Sequence, residues 1–154
     1  LNRGSDITIV SLSYMTIEAL HAVDTLEKEG ISCDLIDLRT IKPIDFDPIV
    51  ISVKKTGRLL VLDTGVRTGS ISGEIIERVS IESFESLKQS PQRITLPDFP
   101  TPTSSELTRG FYRRTENIID VVSNMLGRNL VGNKLIDRGN LPHDVPGEWF
   151  KGPF

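Results

Sequence analysis

The segment from Ser32 to Pro48, Ser-Cys-Asp-Leu-Ile-Asp-Leu-Arg-Thr-Ile-Lys-Pro-Ile-Asp-Phe-Asp-Pro, constrains this chain more than any other stretch. Its apolar run Leu35-Ile36-Asp37-Leu38 reads as the end of a buried strand. Arg39-Thr40 turns the corner, and Pro43 forbids a simple continuation because its ring fixes φ and restricts the residue before it. Asp47-Pro48 then reads as a helix start, with Asp47 as N-cap and a proline in the first turn. A strand, a hinge and a helix start within one short segment call for a fold in which strands and helices alternate.

The flanking sequence keeps that alternation. Ile7-Thr8-Ile9-Val10-Ser11-Leu12 is short, β-branched and apolar, as a buried strand should be. Ile17, Leu20, Val23 and Leu26, with Ala19 and Ala22 beside them, predict a helix with one face on a sheet and with Glu18, Asp24, Glu27 and Lys28 in water. Gly30 supplies its end. A second helix is predicted from about Pro48 to Lys55, closed by Gly57. Arg58-Leu59-Leu60-Val61-Leu62-Asp63 follows, the continuous apolar run typical of a parallel strand covered on both faces. The loop from Thr64 to Gly73 leads to a third helix carrying Ile75, Ile76, Val79, Phe84 and Leu87. Arg93 to Leu96 forms a fourth strand and Asp98 to Thr103 a proline-stiffened extension. Thr115 caps a last helix whose Ile118, Ile119, Val122, Met125 and Leu126 run to Gly127.

These elements predict a three-layer α/β domain with a mainly parallel sheet, helices on both faces and right-handed crossovers. Periodicity does not give the strand order. Residues 1–6 read as a linker from an upstream domain, 7–127 as the domain itself, and 128–154 as an irregular tail in which Gly147-Glu148-Trp149-Phe150 reads either as a docking segment or as a disordered end. A chain of 154 residues with 38% hydrophobic content suffices for one core. Its net charge of −3 argues against nucleic acid or an anionic membrane as principal partner. Cys33 is the only cysteine, so an internal disulfide is excluded, and it reads as a small apolar residue.

Several segments together resemble the C-terminal domain of the transketolase family, most closely that of the beta subunit of thiamine-diphosphate-dependent 2-oxo acid dehydrogenases. They are Asp6 to Val10, Glu29-Gly30-Ile31, Asp37 to Asp45, Ser52 to Leu59, and Pro100-Thr101-Pro102-Thr103, in family-like order from about Asp6 to Leu126. The Asp37-Leu38-Arg39-Thr40 run followed by Pro43 is the most specific of these. The resemblance implies a dimerisation and assembly domain of an oxidoreductase, working as a homodimer or an alpha/beta assembly that also offers surface to an acyltransferase core component. It implies thiamine diphosphate and a divalent metal in the parent enzyme, held by other domains. No cofactor, metal or catalytic residue is then expected here, and the fragment alone should be inactive. The implied compartment is the cytoplasm, or the mitochondrial matrix or plastid in a eukaryote. A protein-binding α/β module and a free-standing small-molecule enzyme are the competing readings.

Residues expected at an interface or anion contact are Arg39, Asp63, Gly65, Arg67, Gly69 and Ser70. The loop from Gly65 to Gly73 leaves a strand and opens a helix, where free N–H groups favour an anion, but its glycines match no nucleotide-binding pattern, so a turn at a subunit contact is the preferred reading. Arg39 is expected to tie Asp37, Asp45 or nearby carbonyls into the corner. Asp63 is expected to cap a helix or anchor a loop rather than act as a base. His21 is read as a packed or exposed histidine and Arg113-Arg114 as solvated surface.

Overall fold

The structure is a computed structural model that describes residues 1–137 and 139–147. Four strands, β1 (Ile7–Ser11), β2 (Cys33–Asp37), β3 (Leu59–Val66) and β4 (Gln92–Leu96), form one sheet in the order β2-β1-β3-β4, and every pairing is parallel. Helices α1 (Tyr14–Lys28), α2 (Asp47–Thr56), α3 (Ile71–Ser83), α4 (Thr115–Met125) and the short α5 (Gly132–Leu135) complete the domain. Alternation along each strand sends side chains to opposite faces. Ile7, Ile9, Leu60 and Leu62 join α1 and α4 in one core, while Val10, Leu59 and Val61 join α2 and α3 in the other. The fold is therefore the three-layer α/β domain that the strand and helix alternation predicts.

Punctuation by glycine follows the sequence. Gly57 adopts φ 75° and its amide donates to the Val53 carbonyl at 2.7 Å, closing α2. A buried polar ladder then pins α2 to the sheet. Thr8 shares hydrogen bonds with Ser52 at 2.7 Å and Thr56 at 2.8 Å, Ser52 donates to Asp34 at 2.8 Å, and Lys55 pairs with the same carboxylate. The Lys42–Pro43 peptide is cis.

Several expectations are corrected. Helix α1 is rotated from its predicted face: Met15, Thr16, Glu18, Ala19, Ala22, Val23 and Leu26 are buried, while Ile17 is 37% and Leu20 39% exposed. Small alanines let α1 approach the sheet, and Glu18 goes inside because partners for its charge exist there. Asp47 is not the cap of α2, which Phe46 precedes; instead the Asp45 carboxylate accepts the Asp47 amide at 3.3 Å. Strand β3 continues through Thr64, Gly65 and Val66, since Val66 pairs with Leu96 after a register shift. Phe84 lies past the end of α3 in a 3-10 turn, 76% exposed.

The remaining corrections concern the C-terminal end. Thr115 is the first residue of α4, after Arg114. The stretch expected to be irregular packs, in its described part, onto the core: Leu130, Leu135 and Ile136 lie against the α1/α4 layer. The Gly132 amide donates to Asp120 at 2.7 Å, and a Cβ at Gly132 would fall 2.2 Å from the Glu116 carbonyl oxygen. Only glycine permits that approach. His143 further ties this stretch to the Ser105 carbonyl at 2.6 Å. The expected docking segment Gly147 to Phe150 lies outside the described residues beyond Gly147.

Candidate functional site

In an open parallel sheet the loops at the carboxyl ends of the strands carry ligands, at the point where the strand order reverses. Here that point lies between β1 and β3, because the chain goes from β1 outward to β2 and returns past it to β3. Ser13, just after β1, holds φ 54°, a left-handed value uncommon for a residue with a side chain. Asp63 stands on the other side of the crevice and is 5% exposed. Its Oδ1 accepts the Gly65 amide at 2.8 Å and its Oδ2 accepts the Ser72 amide at 3.2 Å. One carboxylate thus holds the end of β3 and an N–H in the first turn of α3, where a negative charge is favoured by the helix dipole. Both oxygens are occupied, which suits an anchor and leaves little for proton transfer.

The other residues expected here divide into two groups. Arg67, Gly69 and Ser70 lie on the connection from β3 to α3, with Gly69 at φ 76° and the Ser70 hydroxyl bonded to that of Ser72, while Gly65, like Asp63, belongs to the end of β3. Gly65 is a strand residue, and a Cβ there would lie 3.3 Å from Asp63 Oδ1. Arg39 sits apart, beyond β2 at the far edge of the sheet. Its side chain is 87% exposed and its Nε stays 3.8 Å from Asp37, so the expected corner tie is at most a loose surface pair.

Arg67 also reaches a cavity of about 530 Å³ beside the edge strand β4, together with Arg93, Arg113, Asp98, Asn117 and Asp120. Both acids are engaged elsewhere: Asp98 accepts the Thr68 amide at 2.7 Å and the Thr68 hydroxyl at 2.8 Å, and Asp120 accepts the Gly132 amide. The bonds from Thr68 hold the Asp98 carboxyl below its ordinary pKa. Sequence reading missed this cavity because its walls come from different elements and share no motif.

Arg114 is the larger surprise, since its guanidinium is buried rather than solvated. It lies 5.6 Å from the ring centroids of both Tyr14 and Tyr112, and its Nη1 donates to the Tyr14 hydroxyl and, at 3.5 Å, to Glu18. Glu18 also accepts the Thr115 amide at 2.8 Å, the Thr115 hydroxyl at 2.5 Å and the Tyr14 hydroxyl. Burial, and then the Glu18 carboxylate, push the Tyr14 phenol well above its ordinary pKa. These groups fasten α1 to α4 and border a second cavity of about 560 Å³, which His21, Thr115 and Asp137 also line. Cys33 is buried without exposure, and its thiol is pushed up to about 12, first by burial and then by Asp6 and Glu27.

Among the described residues no group of three or more His, Cys, Asp or Glu side chains is placed to hold a metal ion. No helix among them is long and apolar enough to cross a membrane. Fold and site together define a parallel α/β domain in which Asp63, at the carboxyl end of β3, holds backbone amides. The chain belongs to the transketolase C-terminal domain family, whose pattern matches residues 1–118. It is 36% identical over 127 residues to the mitochondrial pyruvate dehydrogenase E1 component subunit beta of Dictyostelium discoideum, covering 82% of this chain and 36% of that protein. The corresponding mitochondrial subunit of Chaetomium thermophilum is 40% identical over 124 residues, covering 80% and 32%. The Bacillus subtilis subunit is 37% identical over 102 residues, covering 66% and 31%. The chain thus spans about a third of the length of these curated relatives.

Among solved structures it is similar to a split-gene transketolase described as an inactive beta4 tetramer, with TM-score 0.65, 27% identity, and 82% of this chain and 41% of that chain covered. A 2-oxoglutarate:ferredoxin oxidoreductase from Magnetococcus marinus shares the fold at TM-score 0.54 and 12% identity, over 82% of this chain and 18% of that one.

Proposed function

We propose that this domain serves dimerisation and assembly in a thiamine-diphosphate-dependent 2-oxo acid dehydrogenase of the pyruvate dehydrogenase type, with the chemistry carried out elsewhere in the enzyme. The observation that carries this reading is the state of Asp63, the acid best placed for chemistry at the carboxyl end of β3, whose two oxygens are occupied by backbone amides. A base must reach the proton it takes, and this carboxylate is turned inward. The similarity to beta subunits of the pyruvate dehydrogenase E1 component supports an alpha/beta assembly, and the inactive beta4 tetramer supports association without turnover.

In the whole enzyme thiamine diphosphate would supply the stabilised carbanion that 2-oxo acid decarboxylation needs. Described residues of this chain are assigned no contact with it. The acyltransferase core component is the further partner expected for such an assembly, and the mitochondrial relatives favour the matrix if the source is eukaryotic.

Sedimentation velocity across a wide concentration range tests the reading. A dimer or larger species should form as concentration rises, and assays with 2-oxo acids plus thiamine diphosphate and magnesium should show no turnover by this chain alone. A strict monomer at the highest soluble concentration would refute the assembly role, and turnover would refute the division of labour.

A further inference from the structure

The sheet has two edges, and the chain treats them differently. Beyond β2 the opening segment runs antiparallel to the strand: the Leu35 amide donates to the Asn2 carbonyl at 3.0 Å, the Leu1 ammonium donates to the Leu35 carbonyl at 2.7 Å, and a Cβ at Gly4 would fall 2.3 Å from the Cys33 carbonyl carbon. That edge is closed by chain laid along it. Beyond β4 no strand follows. Among the described residues Arg113 alone reaches the β4 backbone from outside the sheet, its Nε donating to the Thr95 carbonyl over a long 3.4 Å. The N–H and C=O of one strand residue point to the same side and those of the next residue to the other, so Thr95 and, two residues earlier, Arg93 present both groups outward. The Arg93 side chain does not shield them, because its Nη1 lies over α3, 3.3 Å from where a Cβ at Gly73 would stand.

Alongside this edge runs the cavity of about 530 Å³, lined by the consecutive residues from Arg93 to Asp98 and, across from them, by Asn117, Asp120 and Val121 of α4. Those three helix residues are spaced i, i+3 and i+4, so they share one side of α4. An open strand edge facing a helix across a groove is a geometry in which an extended peptide adds a strand. Arg113 sets the chemistry of the occupant. It forms no ion pair with a described residue, while Asp98 holds Thr68 and faces Arg67, and Asp120 holds the Gly132 amide. Strand β4 itself, Gln-Arg-Ile-Thr-Leu, contains no acid, so the β4 of a second copy would bring Arg113 no carboxylate. We propose that this edge binds an extended, acidic segment of another polypeptide, paired antiparallel to β4 through Arg93 and Thr95, with a carboxylate on Arg113 and alternate side chains in the groove against Val121. Antiparallel pairing is the slightly more stable arrangement. The five residues of β4 offer an edge of about 17 Å, enough for a segment of about equal length. The site is separate from the proposed assembly role and stands or falls independently of it.

Titration of the 15N-labelled protein with three end-capped peptides of alternating valine and threonine tests the site: one with a central glutamate, its glutamine twin, and the glutamate peptide N-methylated at its central amides. The glutamate peptide should give saturable shifts at Arg93, Thr95, Asn117 and Val121 and slow the solvent exchange of the Thr95 amide, and N-methylation should abolish both effects. Arg113→Gln should weaken binding of the glutamate peptide about fivefold or more, leave the glutamine twin unaffected and keep the urea midpoint nearly unchanged. The proposal is overturned by an absence of saturable shifts with the glutamate peptide, by undiminished binding of the N-methylated one, or by an equal effect of Arg113→Gln on both twins. Concentration-dependent shifts at Arg93 and Thr95 in the protein alone would assign the edge to a second copy and overturn it as well. If Arg113→Gln unfolds, the ratio of the twins' affinities for the unaltered protein supplies the same readout, and a ratio near one refutes an acidic partner.

Discussion

Removing Glu18 should be among the most damaging single substitutions in the chain. Its carboxylate is 3% exposed at the side chain and faces an Arg114 side chain that is 8% exposed. Four donors converge on it: the Tyr14 hydroxyl, the Thr115 amide, the Thr115 hydroxyl and Arg114 Nη1. Glu18→Ala leaves a guanidinium without its counter-charge and a backbone N–H without an acceptor, in a seam where water has little access. Breaking one side of such a pair costs about 3–5 kcal/mol. That is a large share of the 5–15 kcal/mol by which domains are usually stable.

A double-mutant cycle followed by urea unfolding and far-UV circular dichroism separates the pair from the packing. Glu18→Ala and Arg114→Ala should each lower stability by about 3–5 kcal/mol, yet the double variant should lose well under the sum, because neither charge is then stranded. With a urea dependence of about 1–3 kcal/mol per molar, each single loss moves the midpoint by at least about 1 M. Additivity within about 0.5 kcal/mol would refute the claim that these residues act as a pair. A loss below about 1 kcal/mol for Glu18→Ala would refute its burial.

Further outcomes follow from the same geometry. Arg39→Ala should change stability by less than about 0.5 kcal/mol, since its pair with Asp37 is long and exposed; a loss of several kcal/mol in urea unfolding would restore the corner-tie reading. Asp63→Asn should cost about 1 kcal/mol and speed amide exchange at Gly65 and Ser72, and unchanged exchange there would contradict its anchoring role. Gly132→Ala should release the segment after α4 to limited proteolysis, because the added Cβ meets the Glu116 carbonyl at 2.2 Å; an unaltered cleavage pattern would show that this segment does not depend on that approach. Cys33 is an acid whose folded pKa is raised from about 9 to about 12. Its protonated form is favoured by folding, so its contribution is intact below about pH 9 and is lost as pH rises toward 12. Native protein should resist thiol reagents at pH 8 until urea is added, and Cys33→Ala should flatten the alkaline decline in stability.

The legible part of the fold was the part specified by neighbours in sequence. Gly57 ends α2 because of its own backbone freedom, and β1 and β3 announce themselves through β-branched or continuous apolar runs. Asp63 could be read as an anchor because helix starts favour a nearby acid. What escaped depends on residues far apart. Glu18 looked like a wet-face residue since its charge is tolerable inside only if Arg114 and Thr115 arrive to meet it, 96 and 97 residues later. The extension of β3 depends on Leu96 across a register shift, and the cavity beside β4 depends on elements that no spacing rule connects. The stretch after Gly127 looked irregular because its apolar residues, Leu130, Leu135 and Ile136, contact the core singly rather than with a period.

The same separation between Glu18 and Thr115 sets an order of events during synthesis. When Val66 has left the ribosome, strands β1, β2 and β3 can already pair and α1 can lie on them, but its inward carboxylate still faces solvent. Only after the further residues up to Thr115 have emerged does the seam close. A nascent chain stalled before that point is expected to hold a paired sheet with one uncovered helix layer, the form that a chaperone would meet.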